Sequence, residues 1–217
     1  MNYMQSITGG EAVVKSLIMH GVDTVFGLPG LQNDALYNAF YDDRSSVRVV
    51  HTRHEQGAAY MALGYALSRD EPGVYNVVPG PGFLNTTAAL STAYATNAKV
   101  LCLTGQIPSA YIGRGIGMLH EIPDQLGVLR SLTKWADRIS APPSAPDLVA
   151  EAFRQLNSGR PRPVGLECAM DVLTNSAPVD LMAAPFALRH PPVDTDALEK
   201  AAKILGQAKH PMIFVGR

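Results

Sequence analysis

The sequence predicts an α/β fold, a doubly wound and mostly parallel sheet of about six strands with helices on both faces. Short apolar runs alternate with helical stretches of about 10 to 15 residues along most of the chain, the rhythm of strand–helix–strand units. The runs are apolar at successive positions, as strands covered on both faces require. Proline and glycine punctuate several strand ends, where the chain must turn into a helix.

The elements follow in order. Thr8 and Glu11 have the spacing of a capping box and open a helix with apolar Val13, Val14, Leu17 and Ile18, which Gly21 closes. VFGL is a short strand, followed by a helical stretch around Asn33 to Tyr41 and the strand VRVVH. The next helix begins at Glu55 and is almost wholly apolar, with Ala58, Ala59, Met61, Ala62, Leu63, Ala66 and Leu67 leaving little room for a solvated face. A carboxylate in its first turn is therefore out of character. The strand VYNVV, a helix from Leu84 to Ala95, the strand VLCLTG and a glycine-rich segment come next. A short helix near Asp124 to Leu132, a strand near Lys134 to Ile139, a helix from Pro146 to Asn157 and the strand VGLEC complete the series. Residues 1–175 read as one domain and residues 176–194 as a proline- and alanine-rich linker. Residues 195–217 read as an amphipathic helix and a strand, PMIFVG, that begin a further domain cut short.

Composition narrows the function. At 47% hydrophobic and 17% charged, the 217 residues are those of an ordinary globular chain, long enough to bury roughly 70% of its unfolded surface. Eighteen basic against nineteen acidic residues, with no basic cluster, exclude the footprint of a nucleic-acid or anionic-membrane binder, so a small-molecule ligand is expected. Cys102 and Cys168 lie in apolar runs without metal-ligand or disulfide spacing and read as reduced core residues. The N-terminus lacks a signal-peptide pattern, and no apolar run approaches the roughly 18 residues of a membrane span, so a cytoplasmic location is expected.

Ligands of open parallel sheets bind beyond the carboxyl ends of the strands. Three such loops stand out: Pro29-Gly30 after VFGL, HTRHEQG after VRVV, and PGPGFLN, Pro79 to Asn85, after VYNVV. Each has a plain reading, as a turn or as an acidic residue complementing a helix dipole. Gly80 and Gly82 do not continue into a dinucleotide fingerprint, and no GxxxxGK[ST] occurs. HEQGA differs from the zinc-protease helix because Ala58 stands where the second histidine must be, and the six histidines have no other ligand-like grouping, so no metal ligands are expected.

Taken together, the segments VFGLPG, RHEQGAAYMALGYA, GPGFLNTTAALSTAY, LTGQIPSAYIGRG, LHEIPDQ and GRPRPVGLEC resemble a known domain in order and spacing. It is the pyrimidine-binding domain of thiamine-diphosphate enzymes of the acetolactate synthase and pyruvate decarboxylase type, matched from about Ile7 to Val172. The resemblance implies that Glu55 contacts N1′ of the cofactor's aminopyrimidine, where a carboxylic acid sharing a proton favours the imino tautomer needed to activate the thiazolium. Burial raises a carboxyl pKa and suits that task. It further implies that Pro29 and Gly30 approach the cofactor near its reactive centre and that Pro81, Gly82 and Asn85 line the pyrimidine. Gln106 would lead toward the substrate side.

Departures from the acetolactate synthase pattern count against acetolactate synthesis itself. Leu28-Pro29-Gly30-Leu31 replaces Tyr-Pro-Gly-Gly, Val78-Pro79 replaces a Thr-Ser pair, and Leu119-His120-Glu121 replaces Phe-Gln-Glu. His120 either faces the substrate as a proton-transfer group or is simply packed in its loop. In the family Mg2+ and the diphosphate are held by a Gly-Asp-Gly…Asn motif on a later domain, and no Gly-Asp-Gly occurs here. The resemblance thus implies the N-terminal part of a longer enzyme that acts on a 2-oxo acid or related carbonyl compound by decarboxylation or carboligation. The part alone is expected to be inactive, the parent to be a homodimer or homotetramer, and FAD is left open. Two other readings stand beside it: a non-catalytic nucleotide- or coenzyme-binding module, and a regulatory oligomerisation domain.

Overall fold

Strand β1 (Met4–Thr8) enters α1 (Gly9–Met19) through the capping box: Thr8 Oγ1 accepts from Glu11 N at 3.1 Å, and Thr8 N donates to Glu11 Oε2 at 2.7 Å. Next come β2 (Thr24–Gly27), α2 (Asp34–Asp42), β3 (Arg48–His51), α3 (Glu55–Arg69) and β4 (Gly73–Val77). α4 (Pro81–Leu84), α5 (Thr87–Ala95), β5 (Val100–Gln106), α6 (Gln125–Leu132) and β6 (Trp135–Ile139) follow. The last elements are α7 (Ala145–Asn157), β7 (Val164–Ala169), α8 (Met170–Thr174), β8 (Ser176–Asp180) and α9 (Thr195–Gln207). This computed structural model describes residues 4–181 and 192–214.

Six strands form one wholly parallel sheet in the order β3-β2-β4-β5-β7-β6. Side chains alternate between two cores, one on each face. Val74, Leu101, Leu103, Val164 and Leu166 share a core with Leu17 of α1, Phe40 of α2 and Phe153 of α7. Tyr75, Val77 and Cys102 share the other with Ala62 of α3, Leu90 of α5 and Leu129 of α6. Helices thus cover both faces, the doubly wound fold expected. The chain steps from β2 outward to β3 and then back past β2 to β4. That reversal opens a crevice at the carboxyl ends of β2 and β4, where such folds place their ligands.

Four details differ from expectation. The helix from Leu84 to Ala95 is broken into α4 and α5, because the buried Thr86 hydroxyl takes a 3.0 Å bond from Tyr75 Oη and donates to Phe83 O at 2.7 Å. α3 has a solvated face after all: its alanines pack inward while Tyr60 and Met61 are 40% and 43% exposed. Ser176–Asp180, read as connector, forms β8 and pairs antiparallel with β1. Each of these strands buries a single residue, Ile7 or Val179, so neither shows an apolar run. Finally, α9 forms, capped by Asp194, but Pro211–Phe214 is not in a strand, and the rest of PMIFVG lies outside the described residues. No helix among the described residues is long and apolar enough to cross a membrane.

Candidate functional site

Three strand-end loops meet at the crevice, and buried amides hold the first of them. Gly30 N donates to Asn33 Oδ1 at 2.8 Å, Asn33 Nδ2 to Asn76 Oδ1 at 2.7 Å, and Asn76 Nδ2 to Leu103 O at 3.2 Å. Asn33 and Asn76 are essentially inaccessible, so each polar group must find a partner, and the partners tie the loop after β2 to β4 and β5.

The loop after β4 is anchored differently. Gly80 has φ +56°, and a Cβ there would sit 2.3 Å from His120 O, so only glycine fits. Its N–H donates to Gln125 Oε1 at 2.8 Å, and Gln125 Nε2 donates to Gly105 O at 2.9 Å and Glu167 Oε2 at 3.0 Å. Glu167 is fully buried and also accepts from Arg138 Nε at 2.5 Å and Gln106 Nε2 at 3.3 Å. A buried carboxylate costs several kcal/mol to desolvate, and these donors offset that cost. Gln106 thus takes part in this buried support.

Val78 forms the floor between the loops. A Cβ on Gly30 would lie 2.6 Å from Val78 Cγ1, and one on Gly82 2.5 Å from Val78 Cγ2. The two glycines thus let both loops pack directly against the methyl groups of one branched side chain. Glu55, the first residue of α3, lies beside Gly82. Its side chain is 14% exposed, its Oε2 accepts from Asn85 Nδ2 at 2.9 Å, and its Oε1 is 3.6 Å from the place a Gly82 Cβ would occupy. The preceding residue, His54, caps α3 with Nδ1 accepting from Gln56 N at 3.2 Å.

His120 stands at the mouth. Its backbone is left-handed, with φ +71°, and its Nδ1 lies 3.1 Å from Gln32 Oε1. Exposed Leu31, Ile116 and Leu119 sit on the same segments. The glycine-rich loop before His120 is folded around Glu121, whose carboxylate accepts from Gly115 N, Gly117 N and Met118 N at 2.9, 2.7 and 2.9 Å. The bond from Met118, followed by those from Gly117 and Gly115, holds the Glu121 carboxyl below its ordinary pKa.

Of the residues singled out from sequence, Gly30, Glu55, Gly82 and Asn85 meet around Val78, and His120 adjoins them through Gly80. Pro29 and Pro81 are exposed members of the same two loops, Pro81 as the first residue of α4. Sequence reasoning passes over Gln32, Asn33, Asn76, Gln125 and Glu167. A signal exists for two of these: Asn76 and Glu167 interrupt the otherwise apolar strands VYNVV and VGLEC.

Comparison with known proteins agrees with this arrangement. Residues 7–128 match the family described as thiamine pyrophosphate enzyme, N-terminal TPP binding domain. The chain is 38% identical over 219 residues to a probable 2-ketoarginine decarboxylase of Pseudomonas aeruginosa, covering 100% of this chain and 38% of that protein. It is 34% identical over 214 residues to a probable acetolactate synthase large subunit of Methanocaldococcus jannaschii, covering 96% and 35%. It is 33% identical over 222 residues to an acetolactate synthase of Arthrospira platensis, covering 98% and 38%. The chain thus spans little more than a third of the length of these curated relatives. With glycine loops packed on Val78 and a carboxylate beside them at the switch point of a doubly wound sheet, the chain belongs to the thiamine pyrophosphate enzyme family and carries that family's N-terminal TPP-binding domain.

Proposed function

We propose that the chain supplies the pyrimidine side of a thiamine-diphosphate site in an enzyme that acts on a 2-oxo acid or related carbonyl compound, by decarboxylation, carboligation or both. The observation that carries this is the Glu55 carboxyl, largely buried at the head of α3, with one oxygen held by Asn85 and the other beside Gly82, among the strand-end loops that pack on Val78. When bound, the cofactor supplies the carbanion-stabilising centre at which bonds to a carbonyl carbon are broken and made.

The chain's own residues bind, orient and move protons. Glu55 would meet the ring nitrogen of the aminopyrimidine from Oε1 and exchange a proton with it there, while Asn85 fixes the carboxyl's rotation from Oε2. Pro29, Gly30, Pro81 and Gly82 shape the walls, and the prolines stiffen the loops that present them. His120 exchanges a proton with the substrate at the mouth. Mg2+ binds with the diphosphate through residues other than those described. The active protein is a cytoplasmic homo-oligomer, for which the exposed Tyr60, Met61 and Leu84 on α3 and α4 offer apolar contact surface. The name of one relative makes 2-ketoarginine the first substrate to try.

The test is turnover by the complete polypeptide with thiamine diphosphate and Mg2+. Carbon dioxide release from one of a panel of 2-oxo acids is expected. Glu55→Gln keeps an oxygen for Asn85 but no shareable proton, and should fold normally while turning over roughly 10²- to 10⁴-fold more slowly. Undiminished turnover in that variant would overturn the role of Glu55.

A further inference from the structure

We propose that Gln32 fixes the tautomer of His120, keeping the ring proton on Nδ1 and leaving Nε2 as the nitrogen that works. Gln32 is 4% exposed and lies in the short 3₁₀ turn Leu31–Asn33 that follows the loop after β2. Its side-chain amide has two neighbours: Leu119 O at 3.5 Å from Nε2, and His120 Nδ1 at 3.1 Å from Oε1. A carbonyl only accepts, so the NH₂ end must face Leu119, since the reversed amide would set two oxygens against each other. The oxygen end then faces His120, and because an amide oxygen also only accepts, Nδ1 must carry the hydrogen.

The imidazole cannot easily escape this bond. The left-handed backbone of His120 lies with its carbonyl against Gly80, whose own N–H is tied through Gln125 to the buried Glu167. The backbone that carries the ring is thus held from the sheet side. With Nδ1 committed, the neutral ring offers its lone pair only at Nε2, and the protonated ring offers a hydrogen at that same atom. One nitrogen can therefore serve as base and then as acid without a tautomer change between the two steps. This catalytic meaning rests on the substrate-facing role proposed above for His120; the tautomer assignment does not. Gln32 is a positioning residue.

The experiment is long-range 1H–15N spectroscopy of the 15N-histidine-labelled protein at about pH 8.5, where imidazole is neutral, with the His120 signals identified by their loss in His120→Gln. Nδ1 of His120 is expected to show the protonated-type shift and Nε2 the unprotonated one. Gln32→Leu should move the population toward the Nε2–H form, and Gln32→Glu, which keeps an acceptor, should restore Nδ1–H. An Nε2–H ring in the parent protein, or an unchanged ring in a folded Gln32→Leu variant, overturns the proposal. In turnover assays Gln32→Leu should lower kcat by at least about tenfold, as orienting partners of catalytic histidines do, with KM little moved and Gln32→Glu recovering the rate. If the tautomer responds as stated while His120→Gln retains full turnover, the assignment of Gln32 stands and it is the catalytic role of His120 that fails.

Discussion

The Glu121 carboxylate does the work of a bound anion for the glycine-rich loop before it. Three backbone N–H groups converge on it, and without that acceptor the left-handed glycines Gly113, Gly115 and Gly117 would have little to hold them. Because these bonds depress the carboxyl pKa, the order they confer is complete above the ordinary glutamate value and is lost as pH falls through the lowered value of the folded state. Amide hydrogen exchange at Gly115, Gly117 and Met118 should therefore accelerate relative to the rest of the chain as pH falls below the ordinary glutamate range. Glu121→Gln should show the faster exchange already at neutral pH. Equal protection in parent and variant would mean that the loop is held by something else. Glu55 is legible from sequence because a carboxylate heading an alanine-rich helix is out of character, and Gly30 and Gly82 are legible because they sit beside prolines in loops that follow strands. Gln32 is not, since a glutamine in a strand-end loop reads as solvated until its burial is seen.

At the scale of elements, the site is a set of loops borrowed from β2, β3 and β4 and braced by residues of β5, β6, β7 and α6. The brace runs from Gly80 through Gln125 to Glu167 and Arg138. Removing its central amide by Gln125→Leu orphans the Gly80 N–H and leaves Glu167 Oε2 with only the 3.3 Å bond from Gln106. A loss of about 1–3 kcal/mol in unfolding free energy is expected, the usual cost of stranding a buried polar partner. The cofactor concentration needed for half-maximal activity should rise with it. A Gln125→Leu protein of parental stability and cofactor affinity would show the brace to be incidental. The inner strands β2, β4, β5 and β7 are legible because their runs are buried and largely apolar on both faces. The break between α4 and α5 is not, because Thr86 looks like any helical threonine until Tyr75 is seen to reach its hydroxyl.

On the scale of the whole molecule, alternation of strands and helices is enough to predict the doubly wound sheet, while the antiparallel β1–β8 pair escapes notice with its single buried residue per strand. That small pair has its own consequence. Met4 lies opposite Asp180, so the 177 residues from 4 to 180 begin and end side by side. A polypeptide arranged in this way behaves as a cassette. A circular permutant that joins position 180 to position 4 by a short linker, and opens new ends at the exposed Ser45–Ser46 turn, should keep the parental circular dichroism spectrum and melt cooperatively. The same adjacency lets recombination lift the unit out of one gene and set it into another through a single junction, with the loops around Glu55 untouched by the transfer.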